Sequence, residues 1–220
     1  GVCGFVFTCA SPSSGMVRVK VYNAKGHPEK KGVCIFARAF MDQFPLIPVE
    51  DDGRLHNPAI RENFIEQVFT LKRWRETRAR RSCVGNVVDF HSRNKLVLMA
   101  HSPKHLKVMG KMVAGGKAKE CRPLYHAYET YLLEALRLKT TTRKNVNVLQ
   151  HMLGYFKKDL SADEKQELLE VIDRYHRQLI PLVVPLTLFR HFVRKYDQPY
   201  LRQQTYLNPH PVELQLHNHV

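Results

Sequence analysis

The stretch TTRKNVNVLQHMLGYFKKDLSADEKQ, residues 141–166, decides how the second half of the chain is read. Val146, Leu149, Leu153 and Phe156 recur at spacings of three and four, so the run predicts an amphipathic helix over 144–160. Arg143 and Lys144 stand at its start, and Asn147, His151 and Lys158 fall on the face opposite the apolar one. Ser161-Ala-Asp-Glu then places a serine hydroxyl and a glutamate three residues apart. Each can satisfy a backbone N–H of the other, a capping box that starts a second helix over 161–178.

Working outward, the helical period continues over 87–100, 103–114, 123–138, 181–196 and a short 199–206. Upstream the pattern changes. Residues 2–7 and 17–22 read as strands, the latter (VRVKVY) alternating strictly, and Asn23, Gly26 and Pro28 make the turn that follows. Residues 33–44 read as a short helix stopped by Pro45, and PLIPVEDDGRLHNP (45–58) as an extended, turn-rich connection. Asn57-Pro58 is a cap and first position for a helix over 58–76, with Ile60, Phe64, Val68, Leu71 and Trp74 on its buried face. The fold class is therefore α+β: an N-terminal α/β portion over 1–76, then an all-α helical domain over 82–220.

Composition narrows the class of partner. In 220 residues, 35 Lys+Arg against 20 Asp+Glu leave a net charge of +15, and an excess of that size attracts polyanions such as RNA. The five cysteines are scattered without a CxxC pair, which argues against a disulfide framework or a zinc ribbon. The longest apolar stretch, IPLVVPLTLF (180–189), is about half a membrane span and carries two prolines, so no membrane segment is expected and the cytoplasm is the expected location. No P-loop, GxSxG, HExxH or dinucleotide fingerprint is present, and catalytic residues are not identifiable.

The candidate binding residues are basic. KRWRETRARRS holds six cations in ten residues (Lys72, Arg73, Arg75, Arg78, Arg80 and Arg81) against Glu76, a density suited to RNA phosphates. Trp74 among them could stack on a base, but it continues an apolar stripe and is read as core. His91 and Lys95 stand one helical turn apart and His101 follows at the helix end. They read either as phosphate and sugar contacts or as filler for a polar gap between helices. Arg143, Lys144, Asn147, His151 and Lys158 form a polar stripe suited to phosphates or base edges, and Arg190, His191 and Arg194 repeat the theme on an apolar helix. His210, His217 and His219 read as an exposed terminus, and Glu50, Asp51 and Asp52 as an acidic loop; no metal is expected.

From Asn86 onward the chain resembles the YbgA-like domain, on the stretches FHSRNKLVLMAHSP (90–103), TTRKNVNVLQHMLGYFKK (141–158), IPLVVPLTLFRHFV (180–193) and QTYLNPHPVEL (204–214). Its first 75 or so residues resemble the C-terminal half of the TudS-like thiouracil desulfidase domain, on the turn CASPSSG (9–15). The resemblance implies a fusion of the two domains that acts on 4-thiouridine in tRNA, with a [4Fe-4S] cluster on three cysteines. One of those belongs to a Ser-Pro-Ser-Cys-Gly turn. Here Ser11, Pro12, Ser13 and Gly15 match, but Ser14 stands at the cysteine position, and a serine oxygen is a poor cluster ligand. The other two ligands belong to motifs upstream of this chain. The expectation is a truncated form of a tRNA 4-thiouridine desulfidase with no cluster in this chain, an inactive α/β portion and a basic helical domain that binds tRNA or another RNA. The alternative is a non-catalytic interaction or regulatory protein tied to nucleic-acid modification or repair. The sequence does not fix an oligomeric state.

Overall fold

Alternation and turn chemistry account for the first elements. In the computed structural model, which describes residues 1–80, 84–116 and 121–209, the chain forms two units, 1–72 and 73–220. In the first, β1 (Phe5–Phe7) is shorter than the expected 2–7 strand. β2 (Val19–Tyr22) is the alternating run and pairs antiparallel with β3 (Pro28–Gly32), Val19 opposite Gly32 and Tyr22 opposite Pro28. The turn between them is held by Asn23, whose Oδ1 accepts from the backbone of Lys25 and His27, with Gly26 at φ 75°. No sequence pattern marks β3. PEKKG is almost wholly exposed and lacks the alternation that marks a half-buried strand.

α1 (Ile35–Gln43) follows, then β4 (Val49–Asp51), which pairs parallel with β1, Phe5 opposite Val49 and Phe7 opposite Asp51. A parallel pair needs a long crossover, and the segment containing α1 supplies it. Phe7, Cys34 and Ala37 are buried between helix and strands, packed by Phe5, Met16, Phe40 and Val49. Phe5 lies 4.7 Å from both Phe7 and Phe40 between ring centres. The parallel β1–β4 pair with its crossover helix is the α/β part of the fold. It is small.

After a single 3-10 turn at Arg54–His56, α2 (Pro58–Arg78) runs through the division between the units. Asn57 caps it, accepting from the Ala59 and Ile60 amides. Ile60, Phe64 and Val68 are half-buried, whereas Leu71 and Trp74 are fully buried.

The second unit is helical among its described residues: α3 (Val84–Arg93), α4 (Lys95–His101), α5 (Pro103–Ala114), α6 (Cys121–Arg137), α7 (Thr142–Leu153), α8 (Ala162–His176), α9 (Val183–Lys195) and α10 (Pro199–Arg202). α4 is apolar around most of its circumference and sits at the centre, packed by α5, α6 and α7, with Leu96, Val97 and Leu98 inaccessible. Ser161 and Glu164 form the expected capping box of α8. Pro185 is tolerated in α9 because it lies in the first turn, where no intrahelical bond is lost.

Two expected helices are interrupted. Residues 87–100 divide at Asn94, which is buried, donates to the Phe90 carbonyl at 2.8 Å and accepts from Thr205 Oγ1 at 2.8 Å. Residues 144–160 end as a helix at Leu153, followed by a 3-10 turn at Gly154–Phe156. Cys121 takes part in a disulfide that the scattered cysteine spacing did not foretell, whereas Cys3, Cys9 and Cys34 are outside any disulfide.

Candidate nucleic-acid interface

The basic residues singled out in the sequence stand in different surroundings. Trp74 is core: its ring meets Phe90 at 5.0 Å, Tyr125 at 5.6 Å and Tyr128 at 4.7 Å, and its Nε1 donates to Glu129. The junction arginines around it are not one open patch. Arg73 donates to the Pro209 carbonyl, Arg78 is paired with Glu129, Arg75 is half-buried and Arg80 is exposed. Arg81 lies outside the described residues, as do His210, His217 and His219.

His101 is not available to a ligand. It is fully buried and its Nδ1 bonds the Leu138 carbonyl at 2.6 Å. Lys144 donates to the carbonyls of His101 and Lys139, so its ammonium closes the end of α4. The guanidinium of Arg190 donates to the Leu207 carbonyl and tethers the chain after α10. Arg190 also lines a cavity of about 330 Å³ with Arg194 and Arg202, whereas His191 lines another, among Val183, Val184 and Leu188. Arg143, Asn147 and His151 are exposed along α7 at four-residue spacing. Lys158 lies beyond the end of that helix, so the stripe stops before it.

The structure brings three of the expected residues together. Lys95 opens α4, His91 is near the end of α3, and His151 is near the end of α7, which packs on α4. Partial burial, and then the Lys95 charge, hold both imidazoles below the ordinary histidine range, so both are neutral at pH 7. His91 Nδ1 is 3.1 Å from the Tyr128 hydroxyl, and burial pushes that phenol's pKa up. In the tautomer whose Nδ1 accepts from the phenol, the proton of the neutral ring sits on Nε2.

Beside this group lies an aromatic pair that sequence reading did not pick out. Tyr155 meets His151 edge-on at 5.5 Å and stacks on Tyr200 at 4.8 Å and 18°. The Tyr200 hydroxyl is buried close to Tyr155 and Gln204, and burial pushes its pKa up. The i, i+4 spacing of His151 and Tyr155 was the available signal for the first contact. Nothing local linked either to Tyr200.

In the first unit the seryl turn is self-contained. Ser11 Oγ accepts from the amides of Ser13 and Ser14 at 3.3 Å and lies 3.0 Å from Ser13 Oγ. Gly15 donates to the Ser11 carbonyl at 2.7 Å, and a Cβ there would meet that oxygen at 2.6 Å. The Cys34 thiol lies under the turn and donates to the Ser13 carbonyl. Three hydroxyls and one thiol engaged with a carbonyl do not suit an iron–sulfur cluster, which needs several thiolates converging on one point. Cys9 faces Asp51 and Asp52. Partial desolvation, then the nearby Asp51 carboxylate, raise its thiol pKa.

Residues 95–211 match the family described as "Protein of unknown function (DUF1722)". The chain is 33% identical over 128 residues to the "Uncharacterized protein YbgA" of Escherichia coli (strain K12), an alignment that covers 58% of this chain and 76% of that protein. No solved structure matches the chain. The family match contains Lys95, Tyr128, His151, Tyr155 and Tyr200 and begins after His91.

Proposed function

The chain belongs to the DUF1722 family and its helical unit is a YbgA-like domain, and from that premise we propose that this unit is an RNA-binding module whose partner is tRNA. The observation that carries the reading is the placing of Lys95 between two neutral imidazoles, His91 and His151, beside the stacked Tyr155–Tyr200 pair. A lysine supplies a mobile charge for phosphate, a neutral imidazole supplies one donor and one acceptor for a base edge or ribose hydroxyl, and an aromatic ring supplies a stacking surface for an unpaired base. Arg143 and Asn147 extend the same contact along α7, and Arg80 adds a further charge from the end of α2.

The wider reading is that such a module holds tRNA for a thiouridine desulfidase, in the cytoplasm, with the α/β unit as a portion of that enzyme's domain. The support is the Ser11–Gly15 turn and its likeness to the cluster loop. We derive no step through a cluster, because the donor set at the Ser11–Gly15 turn does not fit one. A second reading, a protein-interaction module, is favoured by the exposed apolar side chains Leu169, Leu179 and Val184 on and between α8 and α9.

The two readings separate in one experiment. Binding of the full chain to tRNA and to an RNA duplex of equal length is compared for the parent and for Tyr155→Ala. Under the RNA reading Tyr155→Ala loses about 1–3 kcal/mol toward tRNA and little toward the duplex, because stacking needs an unpaired base. Equal losses on both, or no tRNA binding by the parent, would favour the interaction module.

A further inference from the structure

The parallel strands β1 and β4 end at Phe7 and Asp51, opposite one another in register, so the chain leaving each strand arrives at the same edge. Cys9 follows β1, and Asp52 and Gly53 follow β4. The geometry points to a divalent-cation site of the zinc class at this edge, with Cys9 Sγ, Asp51 and Asp52 as its protein ligands. It does not depend on RNA binding by the helical unit.

The ligand atoms of these residues lie within 4.8 Å of one another. Around tetrahedral zinc, with ligands at about 2.0–2.3 Å, neighbouring donors stand about 3.3–3.8 Å apart, so side-chain rotation alone can close the set. Asp51 is the strongest element. It is 1% exposed, its Oδ1 accepts from the Arg54 amide, the Cys9 thiol stands in hydrogen-bonding reach of the carboxylate, and Oδ2 is buried without a geometric hydrogen-bond partner among the described residues. A buried carboxylate oxygen without a donor is unfavourable unless something positive meets it. Asp52 is fixed by two amides, those of Cys9 at 2.7 Å and Gly53 at 2.6 Å, through Oδ1. Its other oxygen carries no hydrogen bond among the described residues.

Gly53 makes the approach possible. A Cβ at that position would stand 3.1 Å from both Asp51 Oδ1 and Cys9 Sγ. The group opens onto a cavity of about 490 Å³ that Cys9, Val17, Arg18, Asp51, Gly53 and Arg54 line. Arg54 is paired with Glu50, and Arg18 lines the same mouth with no ion pair among the described residues. A thiolate, two carboxylates, a divalent cation and Arg18 sum to zero charge, so the site can be neutral when filled. The thiolate selects against calcium and magnesium, which prefer all-oxygen shells. Three protein ligands leave one tetrahedral position open to water or to an anion that Arg18 would greet.

The test uses the full chain and Zn2+ alone. Alkylation of Cys9 is followed by mass spectrometry of its peptide, with Cys3 as internal control. Equimolar Zn2+ is expected to slow Cys9 alkylation by about tenfold or more, because the metal holds the thiolate. Cys3 should not change, and Asp51→Asn should abolish the protection. Asp51 is buried and its variant could fail to fold, so Cys9→Ser, at an exposed position, is the second arm. With Co2+ in place of Zn2+ the parent should show the near-ultraviolet sulfur-to-cobalt charge-transfer band and Cys9→Ser should lack it. Equal Cys9 alkylation with and without Zn2+, or a cobalt band that survives Cys9→Ser, would overturn the assignment.

Discussion

Glu164 does three jobs with one carboxylate. It accepts from the Ser161 amide at 2.8 Å as half of the capping box, from Lys195 Nζ at 2.6 Å and from the Tyr196 hydroxyl at 2.6 Å. Lys195, then Tyr196 and the Ser161 backbone, hold its pKa at about 2, below its ordinary 4.5. A carboxyl depressed in the folded state adds stability that is complete above the unfolded pKa and is lost as pH falls through the folded one. Glu164→Gln keeps the capping geometry and removes the charge. It should be less stable than the parent at pH 7, and the gap should close between about pH 4.5 and pH 2. Urea midpoints across that range check this, and a gap independent of pH would mean that the charge is not involved. At this scale the sequence was legible where contacts are local, as with Ser161 and Glu164. It misled where they are distant: His101 reads as a helix-end candidate for RNA contact, but its buried ring is bonded to the Leu138 carbonyl, 37 residues along the chain.

α2 belongs to both units, and this sets where the chain can be cut. Trp74 is fully buried in the aromatic group of α3 and α6, so a chain beginning at 82 would leave that group without its largest member. Residues 58–220 are expected to unfold cooperatively, and residues 82–220 to show the broad transition of a loosened core. In the full chain Trp74→Ala should cost about 3–5 kcal/mol, the usual cost of truncating a buried tryptophan, read from urea midpoints. A cooperative 82–220 fragment would show that Trp74 is dispensable. The break at Asn94 makes a second claim. Asn94→Ala removes the shorter of the two acceptors of the Thr205 hydroxyl, at 2.8 Å, and leaves the Arg93 carbonyl at 3.2 Å, so it should cost about 1 kcal/mol. That break was illegible because its partner is 111 residues away, whereas β3 was illegible because charged PEKKG has no buried face to give a pattern. The long amphipathic helices were legible because their period repeats within each element. Of the candidate interface, His91, Lys95 and His151 were legible as separate residues. Their convergence, and the Tyr155–Tyr200 stack, follow only from how α3, α4, α7 and α10 pack.

Across the whole molecule a net charge of +15 would draw any polyanion, so attraction alone does not locate an interface. Internal contacts lower the number of cations free to act. Arg73, Lys144 and Arg190 serve backbone carbonyls and Arg78 serves Glu129, so replacing the junction arginines should disturb folding as much as binding. Arg80 and Arg143 are exposed, and their neutralisation should weaken all RNAs alike. The central claim concerns the group around Lys95, and the measurement that tests it most directly is tRNA affinity of the full chain against salt concentration, for the parent and for Lys95→Gln with His151→Gln. The account predicts weaker binding and a log–log salt slope shallower by about one unit, the signature of one lost phosphate contact, with the urea midpoint unchanged. An unchanged affinity and an unchanged slope in a folded double variant would contradict it.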